Sequence, residues 1–538
     1  MPPIRREVHY GARLLPSFVI RPANVDAMFR HAVAVGPDDL AVVDGDQRIT
    51  YDALGGAVER IAANLARRGI GHGDRVAIVL GNRAAFVELC LACARLGAVS
   101  VPINIRQRRP ENEYVLGHSG AVAVVSEAEL HDQIPAPEAV PELRHRFVVG
   151  GNAPGAESYE ALLAPGVLPP TARPPEEDEP FCILYTSGTT GRPKGAVLTH
   201  YGVVHSCLNF QHCMGLRAGD RAILAVPASH VTGLVAIVLS MIQVRGAVVM
   251  LPVFKARAYL ELVASERVTY TVAVPAMYNL CLLDPDFERY DLSCWRIGGY
   301  GGAPMPQATI KLLAQKLPNL MLFNAYGATE TTSPATIMPP GQGVAYADTV
   351  GKVVPCCDIR VVDEDGREVP PGGAGELWIG GANVVPGYWN NSDADAANFL
   401  HGYWRSGDVG SIDADGFVRV FDRKKDMINR AGYKVYSAEV ENVLSHCPGI
   451  LEAAVVGRPD DVLGERVQAF VVRTDDRLSE SDIRAFCAER LSDYKVPDRI
   501  TFLADPLPRN ANGKVLKPEL RKFIDVELRG QAAQESTK

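Results

Sequence analysis

The residues best suited to chemistry form one loop, YTSGTTGRPKG, at positions 185–195. The apolar run FCILYTS leads into the loop and predicts a buried strand that delivers the chain to a sheet edge. Glycines let the backbone turn tightly and expose its N–H groups, while hydroxyls and an ammonium add donors for phosphate oxygens. These residues are Thr186, Ser187, Gly188, Thr189, Thr190, Gly191 and Lys194. The loop therefore predicts a cradle for a polyphosphate.

The order of these residues differs from the phosphate loop GxxxxGK followed by Ser or Thr, because Lys194 follows Pro193 and precedes Gly195. It resembles instead the signature of the adenylate-forming superfamily, which comprises acyl-CoA synthetases, nonribosomal peptide adenylation domains and luciferases. Further motifs follow in the family's order, and the resemblance spans residues from about 25 to 520. Each motif alone is compatible with an ordinary turn or a solvated charge, but their common order favours the resemblance.

The motif NAYGATE at 324–330 resembles the family's adenine and metal motif. The resemblance implies that Tyr326 stacks on adenine and that Thr329 contacts the α-phosphate. It also implies that Glu330 binds Mg²⁺, a hard cation that favours carboxylate and phosphate oxygens.

Two other motifs resemble the rest of the nucleotide site. In YWRSGD at 403–408, Asp408 is implied to bind the ribose, since a carboxylate can accept both hydrogen bonds of a diol. Arg423 is implied to contact the same sugar, and GYGGAP at 299–304 is implied to border the adenine and the acyl pocket. The other residues that the resemblance assigns to nucleotide binding are Gly302, Ala303, Pro304, Asn324, Ala325 and Gly327.

The C-terminal part of the chain carries the remaining motifs. In DRKKDMINRAGYKVYSAEVE, Lys425 is implied to be the hinge about which a small domain rotates, and Gly432 is implied to line the channel for CoA. In LPRNANGKVLK, Lys514 is implied to be the catalytic lysine. The chain departs from the family pattern at Ser406, Asp422 and Ala431, where Thr, Gly and Gly are usual.

The segment PASHVTG at 227–233 resembles the part of the family that lines the acid pocket, with His230 as its gate. Amino-acid-activating members place an Asp beside this position, whereas Val231 stands here, so an amino-acid substrate is disfavoured. The residues that the resemblance assigns to the pocket are His230, Val231, Gly233, Val274, Tyr300, Gly301 and Ala325. None of them is charged, which disfavours a dicarboxylate and leaves fatty, alicyclic, aryl and terpenoid acids open.

The resemblance as a whole implies an ATP-dependent acyl-CoA ligase that uses ATP, Mg²⁺ and coenzyme A, with Lys514, Thr329, Glu330 and His230 as its catalytic residues. An acyl-AMP ligase that loads the phosphopantetheine thiol of a carrier protein is the alternative within the class. A luciferase-like monooxygenase and an inactive nucleotide-binding scaffold are alternatives of other kinds.

The elements that must position these residues follow from the hydrophobic pattern. Helical spacing over 53–70, followed by a short apolar strand at 74–80, begins an α/β alternation that predicts a parallel sheet. Short β-type runs between turns follow at 351–421. The predicted fold class is α/β: a large N-terminal domain of two α/β subdomains plus a small β-barrel, hinged to a small α+β C-terminal domain. The predicted boundaries are 1–424 for the adenylation domain and 425–538 for the mobile domain.

Composition excludes several other classes of protein. The chain has 538 residues, of which 47% are apolar and 22% charged, which is typical of a globular protein with a large core. Its net charge of -8 argues against nucleic acid or an anionic membrane as partner. We expect a cytoplasmic protein, because the eleven cysteines lack disulfide or zinc spacing and the apolar run at 231–244 is too short to span a bilayer. The resemblance implies a monomer or a homodimer. Cys90 and Cys93 are predicted to be buried in a helix.

Overall fold

A computed structural model describes residues 2–166, 173–186, 192–303, 305–460, 462–510 and 515–525. The chain divides into two compact units. The first comprises Met1–Ile359, Trp378–Arg405 and Gly416–Val418, and the second comprises Arg360–Leu377, Ser406–Asp415 and Arg419–Lys538. The domain boundary placed after residue 424 from the sequence stays a prediction.

The first part of the chain alternates strands with helices. Its strands are β1 Ile4–His9, β2 Arg13–Phe18, β3 Leu40–Asp44, β4 Gln47–Thr50, β5 Arg75–Val79, β6 Val99–Pro102, β7 Ala121–Glu127, β8 His145–Val149 and β9 Glu157–Ser158. Its helices are α1 Val25–Val35, α2 Tyr51–Arg67, α3 Ala84–Leu96, α4 Arg109–Ser119 and α5 Glu160–Leu163, with 3₁₀ turns at Ala128–Gln133 and Pro137–Ala139. Thr50 caps α2 by accepting from the N–H of Ala53, which fixes the start of the helix predicted over 53–70.

The middle of the chain continues the alternation. Its strands are β10 Pro180–Thr186, β11 Lys194–Thr199, β12 Arg221–Leu224, β13 Ala247–Met250, β14 Tyr270–Ala273, β15 Ile297–Tyr300, β16 Met321–Tyr326, β17 Thr336–Ile337 and β18 Lys352–Val353. Its helices are α6 His200–Met214, α7 Ser240–Val244, α8 Ala256–Ser265, α9 Pro275–Leu282 and α10 Gln307–Lys316, with 3₁₀ turns at Phe287–Arg289 and Thr329–Thr331.

Two large sheets organise this first unit. One has seven strands in the order β11-β10-β6-β5-β7-β8-β9, and the other has nine in the order β18-β17-β16-β15-β14-β12-β13-β3-β4. Strands β5 to β8 pair with one another in parallel, and so do strands β12 to β16, as alternating strands and helices require. The prediction of two α/β subdomains is confirmed.

The apolar run at 231–244 forms a buried helix of an unexpected type. Thr232–Leu239 is a π-helix that continues into α7, and Ser240 Oγ donates to the Val235 carbonyl oxygen at 2.8 Å. Because the run is apolar on every side, its pattern fixes burial but not the number of residues per turn. Cys90 and Cys93 are buried in α3, as predicted.

The short β-type runs form a small five-stranded sheet. Its strands are β19 Cys357–Val362, β20 Gly375–Gly381, β21 Phe399–Leu400, β22 Tyr403–Ile412 and β23 Val418–Arg423, and α11 Ser392–Asn398 lies between β20 and β21 in sequence. The order is β19-β20-β22-β21, with β23 also paired to β22.

The C-terminal part is an α+β layer with its own apolar core. Its elements are β24 Ile428–Arg430, β25 Tyr433–Val435, α12 Ser437–Ser445, β26 Ile450–Asp460, β27 Gly464–Arg473, α13 Glu480–Ala488, a 3₁₀ turn Asp493–Lys495 and β28 Arg499–Phe502, and residues 517–525 are helical. Val440, Leu444, Val455, Ala469 and Ile483 are buried together between its helices and sheet. Across the described parts of the chain, no helix has the length and apolarity needed to cross a membrane.

Candidate functional site

The predicted phosphate loop joins two paired strands. Strands β10 and β11 are antiparallel neighbours, with Thr186 opposite Lys194 at the open end of the ladder. Thr186 Oγ1 donates to the Lys194 carbonyl oxygen at 3.4 Å. The predicted donors Ser187, Gly188, Thr189, Thr190 and Gly191 lie outside the described residues. The stem therefore fixes the two ends of the loop side by side, with Lys194 at one of them.

One tyrosine joins the loop to the predicted metal ligand. The backbone beside Tyr388 pairs with the free edge of β11, where Ala196 bridges to Tyr388. Lys194 Nζ lies 4.9 Å from the centre of the Tyr388 ring. The Tyr388 hydroxyl donates to Glu330 Oε1 at 2.9 Å. An ammonium and a carboxylate from distant parts of the sequence thus contact the same side chain.

The surroundings of Glu330 suit a cation that is shared with phosphate. Thr329 and Glu330 are buried in the 3₁₀ turn Thr329–Thr331, with 9% and 8% of their surfaces exposed. Burial, reinforced by the nearby Glu330 carboxylate, raises the pKa of Tyr388, so the phenol remains a hydrogen-bond donor. Mg²⁺ is usually bound by one or two carboxylates plus phosphate oxygens rather than by a full protein cage. The donors present at Glu330 therefore fit Mg²⁺.

Tyr388 belongs to none of the motifs identified from the sequence. The only local signal is Gly387-Tyr388-Trp389 ahead of a turn, and nothing in that pattern indicates a partner 58 positions earlier in the chain.

We expect Tyr388→Phe to lower kcat/KM for ATP about tenfold and to raise the Mg²⁺ concentration needed for half-maximal rate, because a hydrogen bond to a charged group contributes about 1.5–3 kcal/mol. Pyrophosphate exchange titrated with Mg²⁺ measures both effects. Tyr159→Phe is the matched control, since the Tyr159 hydroxyl donates to Glu88 Oε2 at 2.5 Å in a buried pair elsewhere in the unit. Equal Mg²⁺ dependence in the two variants would contradict the role of Tyr388.

The predicted acid pocket gathers at one sheet edge. Strands β14, β15 and β16 are parallel neighbours, so Val274, Gly301 and Ala325 lie at or beyond their carboxyl ends. This edge is where open α/β sheets bind ligands. A Cβ at position 301 would lie 2.4 Å from the Ala325 carbonyl oxygen, so only glycine permits this approach. Val274 is 40% exposed there, whereas the Tyr300 side chain is 1% exposed and belongs to the core.

His230 follows β12, the next strand in the same sheet, and so belongs to the same edge. The N–H of Thr232 donates to His230 Nδ1 at 3.2 Å, so Nδ1 is an acceptor and the ring proton lies on Nε2. Burial lowers the pKa of His230 to about 4, which makes the ring neutral at neutral pH. Val231 is buried, and a Cβ at Gly233 would lie 2.3 Å from the Pro227 carbonyl oxygen. This part of the edge is uncharged.

The predicted adenine residues lie at the end of β16. Asn324 Nδ2 donates to the Thr349 carbonyl oxygen at 3.0 Å, which ties its amide to the protein. Tyr326 is half-buried at the strand terminus, where a Cβ at Gly327 would lie 3.0 Å from Thr331 Oγ1. Gly302 and Ala303 are exposed after β15, and Pro304 lies outside the described residues.

The second unit brings together the two residues implied to bind ribose. Arg423 Nε lies 3.0 Å from Asp408 Oδ1, and Asp408 is 6% exposed. The N–H of Asp408 donates to Ser406 Oγ at 3.0 Å, so serine supplies the acceptor at this position where threonine is usual. The other departure, Asp422, accepts from Ser437 Oγ at 2.6 Å and from the Ser437 N–H, which ties it to the first residue of α12.

The hinge and CoA-channel residues occupy exposed turns of the same unit. The Lys425 carbonyl oxygen accepts from Arg521 Nη2 at 3.3 Å. The Gly432 N–H donates to Asn429 Oδ1 at 3.1 Å. Ala431 and Gly432 both have positive φ angles, 52° and 87°, which explains why glycines suit this turn. Lys514 lies outside the described residues.

Known proteins match nearly the whole chain. Residues 29–389 match the AMP-binding enzyme family, and residues 439–514 match the AMP-binding enzyme C-terminal domain. The chain is 35% identical over 505 residues to the long-chain-fatty-acid–CoA ligase FadD13 of Mycobacterium tuberculosis, covering 93% of this chain and 98% of that protein. It is 35% identical over 496 residues to the fatty acid–acyl-carrier-protein ligase ScoC of Streptomyces coeruleorubidus, covering 90% and 93% respectively.

A solved structure matches equally broadly. The O-succinylbenzoate coenzyme A synthetase MenE from Bacillus subtilis, in complex with ATP and a magnesium ion, superposes with a TM-score of 0.81 at 29% identity. The match covers 92% of this chain and 99% of that chain.

Proposed function

This chain belongs to the AMP-binding enzyme family, in its acyl-CoA synthetase branch, and we propose that it activates an apolar carboxylic acid as an acyl-adenylate and passes the acyl group to coenzyme A. The observation that carries this proposal is that Lys194 and Glu330 both contact Tyr388, one at its ring and the other at its hydroxyl. A phosphate-binding ammonium and a buried metal-binding carboxylate that share one neighbour suit the triphosphate of ATP and its Mg²⁺.

In the first step, the substrate carboxylate attacks the α-phosphorus of ATP and expels pyrophosphate. The loop from Thr186 to Lys194 holds the β- and γ-phosphates. Thr329 and Lys514 stabilise the negative charge that develops on the α-phosphate, which is electrostatic preorganisation and needs no protein nucleophile. Mg²⁺ bound at Glu330 supplies further neutralisation of phosphate charge.

In the second step, the thiol of CoA attacks the acyl carbon and AMP leaves. Asp408 accepts hydrogen bonds from the ribose hydroxyls, and the ion pair with Arg423 orients that carboxylate. AMP is a good leaving group, whereas the oxygen of a free carboxylate is a poor one. Activation by adenylation therefore makes the acyl transfer possible.

The uncharged sheet edge supports an apolar acid as substrate. Neutral His230, buried Val231 and half-exposed Val274 offer no cation for a second carboxylate and no anion for a substrate ammonium group. FadD13 is a long-chain-fatty-acid–CoA ligase, so a fatty acid is the first class to test for this chain.

The thiol acceptor is the point at which two candidate functions differ. ScoC, which is as similar in identity as FadD13, is an acyl-carrier-protein ligase. We favour free CoA because FadD13 and MenE are both coenzyme A ligases. A Cβ added at Gly432 would meet nothing within 4 Å, which leaves room for the pantetheine arm that both acceptors share. We further propose that the protein acts in the cytoplasm, which supplies ATP and CoA and keeps cysteines reduced. We propose that it is a monomer or a homodimer.

An acid panel tests the function. AMP release should require ATP, Mg²⁺, an apolar acid and CoA, and the thioester should accumulate with the AMP. Release of AMP with a carrier-protein thiol but not with CoA would favour the alternative. No AMP release with any acid and either thiol would overturn the proposal.

We expect Gly432→Trp to reduce thioester formation at least tenfold while acid-dependent pyrophosphate exchange persists, because the indole would fill the proposed channel. Gly432→Ala is the matched control, since alanine meets the same left-handed backbone, with φ of 87°, without the bulk. Intact CoA ligation in the Trp variant, or equal losses in both variants, would place the channel elsewhere.

A further inference from the structure

Two aromatic residues of α4 contact the two ends of the phosphate loop. Tyr114 and His118 are one helical turn apart on the same face of that helix, and their rings stack with centres 5.3 Å apart. Neither residue belongs to any motif discussed above, and both lie in the first unit together with the loop stem.

The chain entering the loop is held through Tyr185. His118 Nδ1 and the Tyr185 hydroxyl share a hydrogen bond of 2.8 Å. Burial lowers the pKa of His118 and raises that of Tyr185, so this is a bond between neutral groups. The Tyr185 ring lies over Gly195 on the paired strand, where an added Cβ would be 3.1 Å from Tyr185 Cζ and 2.7 Å from Ile183 Cγ2. A glycine at position 195 therefore leaves the space that the Tyr185 ring occupies.

The chain leaving the loop is held through Tyr114. Its hydroxyl donates to the Pro193 carbonyl oxygen at 3.1 Å. The Arg192 guanidinium carbon lies 5.6 Å from the centre of the Tyr114 ring, within cation–π range. Tyr114 also meets Tyr185 edge-on, with ring centres 6.4 Å apart. One side chain therefore contacts the residues immediately before Lys194 and the tyrosine that begins the motif.

We propose that Tyr114 is a positioning residue for the phosphate loop, acting through Pro193 and Arg192 to place Lys194 for ATP. The inference rests on the proposed function, since it takes the loop to be the triphosphate site. Pro193 and Arg192 directly precede Lys194, so fixing them reduces the conformational entropy that Lys194 loses when it binds a phosphate. Removing the contacts of Tyr114 with Pro193 and Arg192 should therefore weaken ATP binding without altering the acid pocket.

The test is Tyr114→Phe, which keeps the ring over Arg192 and removes only the hydroxyl bond to Pro193. We expect the KM and the dissociation constant for ATP to rise about fivefold, the factor that one ordinary hydrogen bond contributes. The KM for the acid should stay within twofold of wild type. Tyr114→Ala, which also removes the cation–π contact, should raise the ATP constants further.

The matched control is Tyr51→Phe, since the Tyr51 hydroxyl donates to the Gly246 carbonyl oxygen at 2.7 Å in the core. It should lower the melting temperature without changing the constants for ATP. Unchanged ATP constants in Tyr114→Phe, or equal increases in KM for ATP and acid, would overturn the inference. The dissociation constant for ATP, measured at equilibrium, tests the role of Tyr114 separately from the proposed function. It can be compared between wild type and Tyr114→Phe even if no acid supports turnover.

Discussion

Replacement of Lys514 by alanine should slow acid-dependent pyrophosphate exchange about 10²- to 10³-fold, the loss typical of removing one donor that stabilises transition-state charge. Transfer of the acyl group from a supplied acyl-adenylate to CoA should persist. The reason is that Lys514 is proposed to assist the attack of the carboxylate on the α-phosphorus, whereas the second step takes place at the acyl carbon. Measuring the two half-reactions separately, with the same preparation of enzyme, gives the comparison.

Lys522→Ala is the control for this experiment. Lys522 is close in sequence, 68% exposed and paired only at the surface with Glu519, so its loss should leave both half-reactions unchanged. Equal loss of both half-reactions in Lys514→Ala would contradict a role confined to the first step.

Replacement of Glu330 by glutamine should slow pyrophosphate exchange roughly 100-fold at saturating Mg²⁺, because the variant removes the charge that binds the cation while keeping an oxygen in place. The amide oxygen can still accept from the Tyr388 hydroxyl, so the fold should be retained. The rate is measured against Mg²⁺ concentration, and thermal unfolding is measured beside it.

Glu88→Gln is the matched control for Glu330→Gln. Glu88 is likewise buried and likewise accepts from a tyrosine, Tyr159, but it lies in α3 and belongs to none of the predicted nucleotide-binding motifs. Its replacement should leave Mg²⁺ dependence unchanged. An unaltered Mg²⁺ requirement in Glu330→Gln would show that the cation binds elsewhere.

The sequence predicts well those features that depend on neighbouring residues. Short apolar runs predict strands such as β5 and β10. Because the carboxyl ends of neighbouring parallel strands share one edge of a sheet, the residues at those ends lie close together. Val274, Gly301 and Ala325 are gathered in this way. Burial of Cys90 and Cys93 follows likewise from an apolar run.

Features that depend on contacts between distant segments are not predicted. Tyr388 reaches Glu330 because its backbone pairs with the free edge of β11, and no local pattern encodes that pairing. Tyr114 contacts Pro193 because α4 packs beside the seven-stranded sheet. Asp422, a departure from the family pattern, contacts α12 through a bond to Ser437. Each of these three contacts depends on how two separate elements pack, which the sequence near either residue does not indicate.

The most direct test of acyl-adenylate formation follows an oxygen atom. When an acid labelled with ¹⁸O in both carboxylate oxygens is turned over with ATP and CoA, attack of the carboxylate on the α-phosphorus predicts one ¹⁸O atom in each AMP released. Mass spectrometry of the AMP measures this. Unlabelled AMP, or label found in inorganic phosphate beside ADP, would contradict adenylation of the acid.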